Sequence, residues 1–251
     1  MNMIENLKNK FNDIKKKISE DISSKVPTDT LPLDLEPMQE IVLSRTEHKE
    51  MHDTVDEVYD TVDSGYLLHS SEVVGYNNRE HQWNTYRIAM SYMSIGESVL
   101  DFGCGRGDFK SVYESETGNQ LNYIGLELNQ SMIDAAAELY PTYDIQKTDW
   151  FKIPEALTAD WCVNIHSLNL RYDADLTKDD TQYKLATIQQ MYKHANKGVI
   201  VMLASDIISK DDGLIASNPG ELLNWAQKEF GNVALDHTFS DELFALIIYK
   251  S

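Results

Sequence analysis

The residues able to do chemistry in this chain gather around one loop. Residues 99–109 read VLDFGCGRGDF: a short apolar run ends in Asp101, and Gly103, Gly105 and Gly107 follow at alternate positions. Glycine accepts φ > 0 and lets a ligand come close to the backbone. Set between a strand and a helix, such a loop cradles a nucleotide. A second acid, Glu127, ends the apolar run 121–128, 26 residues after Asp101. In dinucleotide folds an acid about 20 residues on, at the tip of the second strand, accepts hydrogen bonds from ribose hydroxyls. His166, Ser167 and Asn169 end a further apolar run, at the carboxyl end of the sheet where open α/β folds place their chemistry. His166 is the first candidate for a general base there; the alternative is a hydrogen-bonded structural histidine. His237, Tyr172 and Tyr76 are weaker candidates, and none of the seven histidines has metal-ligand spacing.

The elements that must position these groups alternate in type. Residues 98–100 read as a strand and 108–116 as the helix after the loop. Residues 121–128 form a second strand, and Asn129 and Ser131 can cap the helix that follows, which Pro141 ends. Residues 145–151 read as a third strand with its exit loop, and 161–165 as a buried fourth strand interrupted by Asn164. A helix over 181–195, closed by Lys197-Gly198, leads to a fifth strand at 199–203. A helix from Pro219 to Phe230 leads to two strands, 233–237 and 242–249, forming an antiparallel hairpin. Ahead of the loop, a helix is expected with Trp83, Tyr86, Ile88, Ala89 and Tyr92 as packing positions.

The spacing of the glycines departs from the dinucleotide fingerprint, whose third glycine comes three residues after the second rather than two. The loop resembles motif I of the class I S-adenosylmethionine-dependent methyltransferases, and IGLELNQSMI resembles their second motif. The resemblance covers roughly residues 75–250. It implies an α/β, Rossmann-like, seven-stranded and mostly parallel sheet with an antiparallel last strand and helices on both faces. It also implies S-adenosylmethionine as cofactor, methyl transfer as activity, and no metal. Asp101, Gly103, Cys104, Gly105, Gly107, Glu127, Leu128 and His166 would line the cofactor, with Asp149 and Trp150 reading adenine. Asp149 is alternatively a turn or cap acid, and Trp150 alternatively core. Gly75-Tyr76, Gln82 and Arg87 resemble a stretch found ahead of the glycines in a bacterial and phage branch, with Tyr76, His81 and Ile88 in place of Trp, Ser and Phe. Arg87 would hold the methionyl carboxylate or, equally, pair with a nearby acid. NLRYDxDL resembles the same branch, which carries a small residue and Gly where this chain has His166-Ser167.

Bulk properties bound the function. With 22 Lys and Arg against 41 Asp and Glu, the net charge of −19 disfavours autonomous binding to nucleic acid. The fourth-strand exit NIHSLN also lacks an Asn-Pro-Pro-aromatic or Asp-Pro-Pro-aromatic amino-methylation motif. The acceptor is therefore expected to be a small molecule or a protein. No apolar run spans a bilayer, the N-terminus shows no signal-peptide h-region, and Cys104 and Cys162 give no disulfide framework, so a cytoplasmic protein is expected. Ile4, Leu7, Phe11, Ile14 and Ile18 make an amphipathic helix of residues 1–25, which either docks on a partner or a second copy, or folds back on its own domain. Residues 26–72 read as a proline-containing linker and an acidic helical segment, and 73–251 as the methyltransferase domain. A rival reading is a catalytically silent protein of this fold acting as a partner-docked component, motivated by the N-terminal helix and His166-Ser167.

Overall fold

The computed structural model describes residues 40–41, 43, 53, 56, 59–60, 68, 70–71, 76, 78–169, 181–207 and 216–250. They belong to a compact unit spanning Leu35–Ser251. The expected N-terminal helix, the linker up to residue 37, and Tyr172 lie outside the described residues.

Numbering runs from the first fully described element. Helix α1 (Arg79–Ser91) precedes strand β1 (Ser98–Phe102). Helix α2 (Asp108–Thr117), strand β2 (Asn122–Glu127), helix α3 (Gln130–Leu139) and strand β3 (Ile145–Lys147) follow. Strand β4 (Ala159–Ile165) ends in a 3-10 turn, Ser167–Asn169. Helix α4 (Thr181–His194), strand β5 (Ala195–Ala204), helix α5 (Pro219–Phe230), β6 (Val233–Asp236) and β7 (Leu243–Tyr249) complete the chain.

The seven strands form one sheet in the order β3-β2-β1-β4-β5-β7-β6. Neighbours from β3 to β5 are parallel, whereas β7 runs antiparallel to both β5 and β6, so the last strand is the reversed one. The chain order turns back between β1 and β4, the switch point outside which ligands bind in open α/β sheets.

Side-chain alternation along the strands builds a core on each face. Leu100, Phe102, Val199, Val201, Leu203, Leu246 and Ile248 pack with Ile188 and Met191 of α4 and Leu222 and Phe230 of α5. Val99, Val163, Ile200, Met202 and Ile247 pack on the other face with Tyr86 and Ala89 of α1 and Phe109 and Val112 of α2. Asp101 shares the parity of Val99 and so faces α1 and α2.

One exit loop follows the sequence reading, and two local details depart from it. Strand β3 gives way to its expected exit loop after Lys147: Thr148 still donates its N–H to Glu127 O (2.9 Å), and Asp149 then folds the chain over, accepting from Phe151 N at 3.0 Å. Lys197-Gly198 lies inside β5 and does not close α4: Gly198 pairs with Trp161 of β4 and Tyr249 of β7, and a Cβ there would come 2.4 Å from Ile248 O. In α1 the expected positions do pack, Tyr86 and Ala89 buried and Trp83 and Ile88 half-buried against the core, but Gln82 and Thr85 are buried as well. Gln82 is drawn inward by hydrogen bonds to the Tyr86 hydroxyl (3.1 Å) and Asp108 (3.0 Å).

Candidate functional site

The glycine loop crosses from the tip of β1 to the start of α2, and the tips of its neighbours fasten it. Gly103 N and Cys104 N donate to Leu126 O at 2.8 and 3.1 Å, which continues the β1–β2 ladder into the loop. Gly103, Gly105 and Gly107 have φ of 73°, 54° and 82°, a region that costs an L side chain about 1 kcal/mol. A Cβ on Gly103 would also stand 2.2 Å from Ser167 Oγ. Glycine is thus required there by both torsion and the approach of the β4 exit.

Glu127 is the loop's second anchor. Its Oε2 accepts from Gly105 N at 2.8 Å, and its Oε1 accepts from Leu128 N and Asn129 N at 2.8 and 3.0 Å. A carboxylate has about four acceptor sites, so three backbone partners leave capacity for about one further hydroxyl, on Oε2. Asp101 lies on the neighbouring strand tip, where Tyr123 donates its hydroxyl to Oδ2 at 2.8 Å. Both acids are buried. Burial pushes the Asp101 carboxyl up to about 7, opposed by the Tyr123 hydrogen bond and reinforced by the Glu127 charge. Burial raises Glu127 as well, against the pull of its three N–H partners. Leu128 beside it is core. Cys104 packs its Sγ toward Gly125, and burial raises its thiol well above the ordinary range.

The comparison with known families then decides what this loop belongs to. Residues 94–234, more than half of the chain, match the family model of the methyltransferase domain. The chain belongs to that family. Among solved structures the domain resembles magnesium protoporphyrin IX methyltransferase (ChlM) from Synechocystis PCC 6803, with a TM-score of 0.55, 12% identity, and 78% of this chain and 98% of that chain covered. The DhpI–SAH complex gives a TM-score of 0.55 at 13% identity, covering 82% of this chain and 98% of that one. The N-methyltransferase NodS from Bradyrhizobium japonicum WM9, in complex with S-adenosyl-L-homocysteine, gives 0.52 at 16% identity, covering 78% and 99%. At these identities the likeness is one of fold. No curated protein matches the chain.

Within the methyltransferase domain, not every residue picked from sequence reaches the loop. Arg87 lies on the exposed side of α1, where Glu116 pairs with it at 2.6 Å, Asn84 accepts from it, and Trp83 lies under its guanidinium. The guanidinium inside the loop is that of Arg106, buried and paired with Asp108 at 2.5 Å. Asp108 also accepts from Gln82 and, at 3.3 Å, from the Tyr140 hydroxyl, so α1, the loop and α3 meet on one carboxylate. Sequence reading passed over Arg106, although its place between two of the glycines was the available signal. Asp149 shares its carboxylate between Phe151 N and Lys152 (2.7 Å), one residue from the Thr148–Glu127 bond. Trp150 is core: it is 3% exposed, packs near Phe102 and Tyr183, and donates Nε1 to Thr187 Oγ1 at 3.3 Å.

At the β4 exit, His166 is buried at the strand tip with φ of 81°, an uncommon backbone for a residue other than glycine. Its ring stacks on Tyr76 with centroids 4.9 Å apart. Burial raises the Tyr76 phenol, whose neighbours include Tyr86, Asp101 and Asp108, so this ring bridges the loop and the β4 exit. The acidic segment also arrives here. Asp60 accepts from Ser131 Oγ at 2.8 Å and from Asn129 Nδ2 at 3.1 Å, and Asp56 accepts from the same Nδ2 at 3.0 Å. Burial, and then the Glu127 charge, raise the Tyr59 phenol between them.

Proposed function

We propose that this chain transfers the methyl group of S-adenosylmethionine to a small-molecule or protein acceptor. The observation that carries the reading is the pair Asp101 and Glu127. They are buried carboxylates on adjoining strand tips and one face of the sheet, joined through the Gly105–Glu127 bond to a loop of left-handed glycines. Their chemistry fits a ligand carrying an ammonium and a ribose diol.

When bound, the cofactor supplies a methyl group already activated on a sulfonium. The chain's part is to bind, orient and exclude water. Asp101 is placed to meet the ammonium, and ionises as it does so. Glu127 offers its remaining acceptor capacity to a ribose hydroxyl. Asp149, tied next to the Glu127 tip, serves the exocyclic amine of adenine, and Arg106 rather than Arg87 serves the carboxylate. Gly103, Gly105 and Gly107 let the ligand lie against the backbone, with Cys104 and Leu128 beside them. Tyr76, Tyr86 and Tyr59, all buried or half-buried, close the site against water.

The charge of −19 supports a non-nucleic-acid acceptor. Among the described residues no helix is long and apolar enough to cross a membrane, and Cys104 and Cys162 are both free; a cytoplasmic location follows as part of the proposal. Residues 1–25 would serve self-association or a protein partner. Calorimetry of the full chain with S-adenosylhomocysteine and S-adenosylmethionine tests the cofactor, with Asp101→Ala and Glu127→Ala expected to lose binding. Folded chain that takes up neither compound sinks the reading.

A further inference from the structure

The hydrogen bonds behind His166 decide which of its ring nitrogens carries the proton. One backbone donor beside Asn169 has a fixed role. Ala204 N–H lies 2.9 Å from Asn169 Oδ1, so that atom is the amide oxygen. The Asn169 NH₂ group therefore faces the other way, and its second contact agrees: it lies 3.4 Å from Met202 O, which can only accept. The same NH₂ lies 3.2 Å from His166 Nδ1. An amide NH₂ has no lone pair to offer, so Nδ1 must be the acceptor, and the proton of a neutral imidazole then sits on Nε2.

We infer that Asn169 is a positioning residue that holds His166 in its Nε2–H form, so that neither ring nitrogen is left to take up a proton as a general base. Burial enforces the choice. Asn169 is completely buried and His166 nearly so. A proton on Nδ1 would set two donors against each other where no water can relieve them, and an unmet buried donor costs about 1–3 kcal/mol. The ring cannot turn away easily either. Tyr76 lies stacked on it, His166 N donates to Met202 O at 3.4 Å, and Asn169 N returns to His166 O at 2.9 Å.

The test is nuclear magnetic resonance of the full chain with ¹⁵N-labelled histidine. Long-range ¹H–¹⁵N spectra show which ring nitrogen bears hydrogen, and His166→Gln identifies the His166 signals among the seven histidines by their loss. The expected result at pH 7 is a protonated, pyrrole-like Nε2 and a pyridine-like Nδ1. Asn169→Asp, whose side chain can only accept, is expected to move the proton to Nδ1. A wild-type His166 with its proton on Nδ1, or on both nitrogens, overturns the inference whatever the variant does. S-adenosylhomocysteine calorimetry on the same samples separates the two readings: absent binding beside an Nε2–H ring removes the cofactor reading and leaves the tautomer standing.

Discussion

Replacing Asp101 by Asn should make the protein more stable at alkaline pH and worse at holding its cofactor. The carboxyl sits at about 7 in the folded chain, against 3.8 ordinarily, because burial penalises its charge. At 1.36 kcal/mol per pH unit, that gap is worth about 4 kcal/mol. The sign follows from proton counting. Between about pH 4 and pH 7 the unfolded chain has released this proton while the folded chain keeps it. Stability therefore falls as pH rises through that window, and the whole deficit is present above it. Asp101→Asn keeps an oxygen for the Tyr123 hydroxyl and never ionises. We expect the two proteins to agree within about 1 kcal/mol at pH 4 and the variant to be ahead by about 2–4 kcal/mol at pH 8. Urea midpoints at both pH values, with an unchanged slope, read the difference directly. The difference also cancels the self-repulsion of an acidic chain, which both proteins share. Affinity for S-adenosylhomocysteine should fall at least 10-fold, the worth of one hydrogen bond to a charged group. Stability curves that run parallel from pH 4 to pH 8 would refute the argument. Such a trade between stability and binding is expected of a group whose burial serves a ligand.

Gly103→Ala should lower stability by about 2 kcal/mol or more, since the new Cβ meets Ser167 Oγ at 2.2 Å; adding Ser167→Gly should return the steric part and leave the cost of φ 73°, in thermal melts of both chains. Glu127→Gln turns one acceptor into a donor among three backbone N–H groups, so a loss of about 1–3 kcal/mol is expected in urea unfolding, together with weaker S-adenosylhomocysteine binding. Arg87→Ala removes a half-exposed pair and should change stability by under about 1 kcal/mol, with affinity for S-adenosylhomocysteine unchanged. Arg106→Ala strands Asp108 in a mostly buried position and should cost about 3 kcal/mol, with binding reduced; equal effects of the two arginine variants in calorimetry would contradict their assignment.

The fold was legible because buried parallel strands announce themselves as apolar runs and this sheet has few irregularities. Asp101, the glycines and Glu127 were legible for a related reason: each belongs to one short strand–loop–helix unit, so sequence spacing translates directly into position. Arg87 and Arg106 show where that stops. Both are cations near the loop in sequence, and only the face of α1 on which Gln82 rather than Arg87 turns inward distinguishes them. Trp150 is similar, because whether a tryptophan after a strand meets a ligand or the core depends on α4, 30 residues further on. Asp56, Tyr59 and Asp60 carry no motif, and their approach to Asn129, Ser131 and Glu127 is a tertiary fact.

Two asparagines explain how the unusual β4 exit is accommodated. Asn164 and Asn169 are both fully buried, and they brace the same turn in opposite directions. Asn164 donates to Phe102 O at 2.7 Å and to Ser167 Oγ at 2.6 Å, which ties the turn to β1. Asn169 accepts from Ala204 N and meets His166, which ties it to β5. Between these braces His166 keeps a strained backbone, and such strain persists only where the surroundings over-determine it. The presence of Ser167 in turn depends on Gly103 having no Cβ on the facing loop. The glycine loop and the β4-exit turn are therefore one packed unit rather than two independent motifs. A change at Gly103 should reach His166 through Ser167 and Asn164, while Asn169 sets the proton that His166 presents.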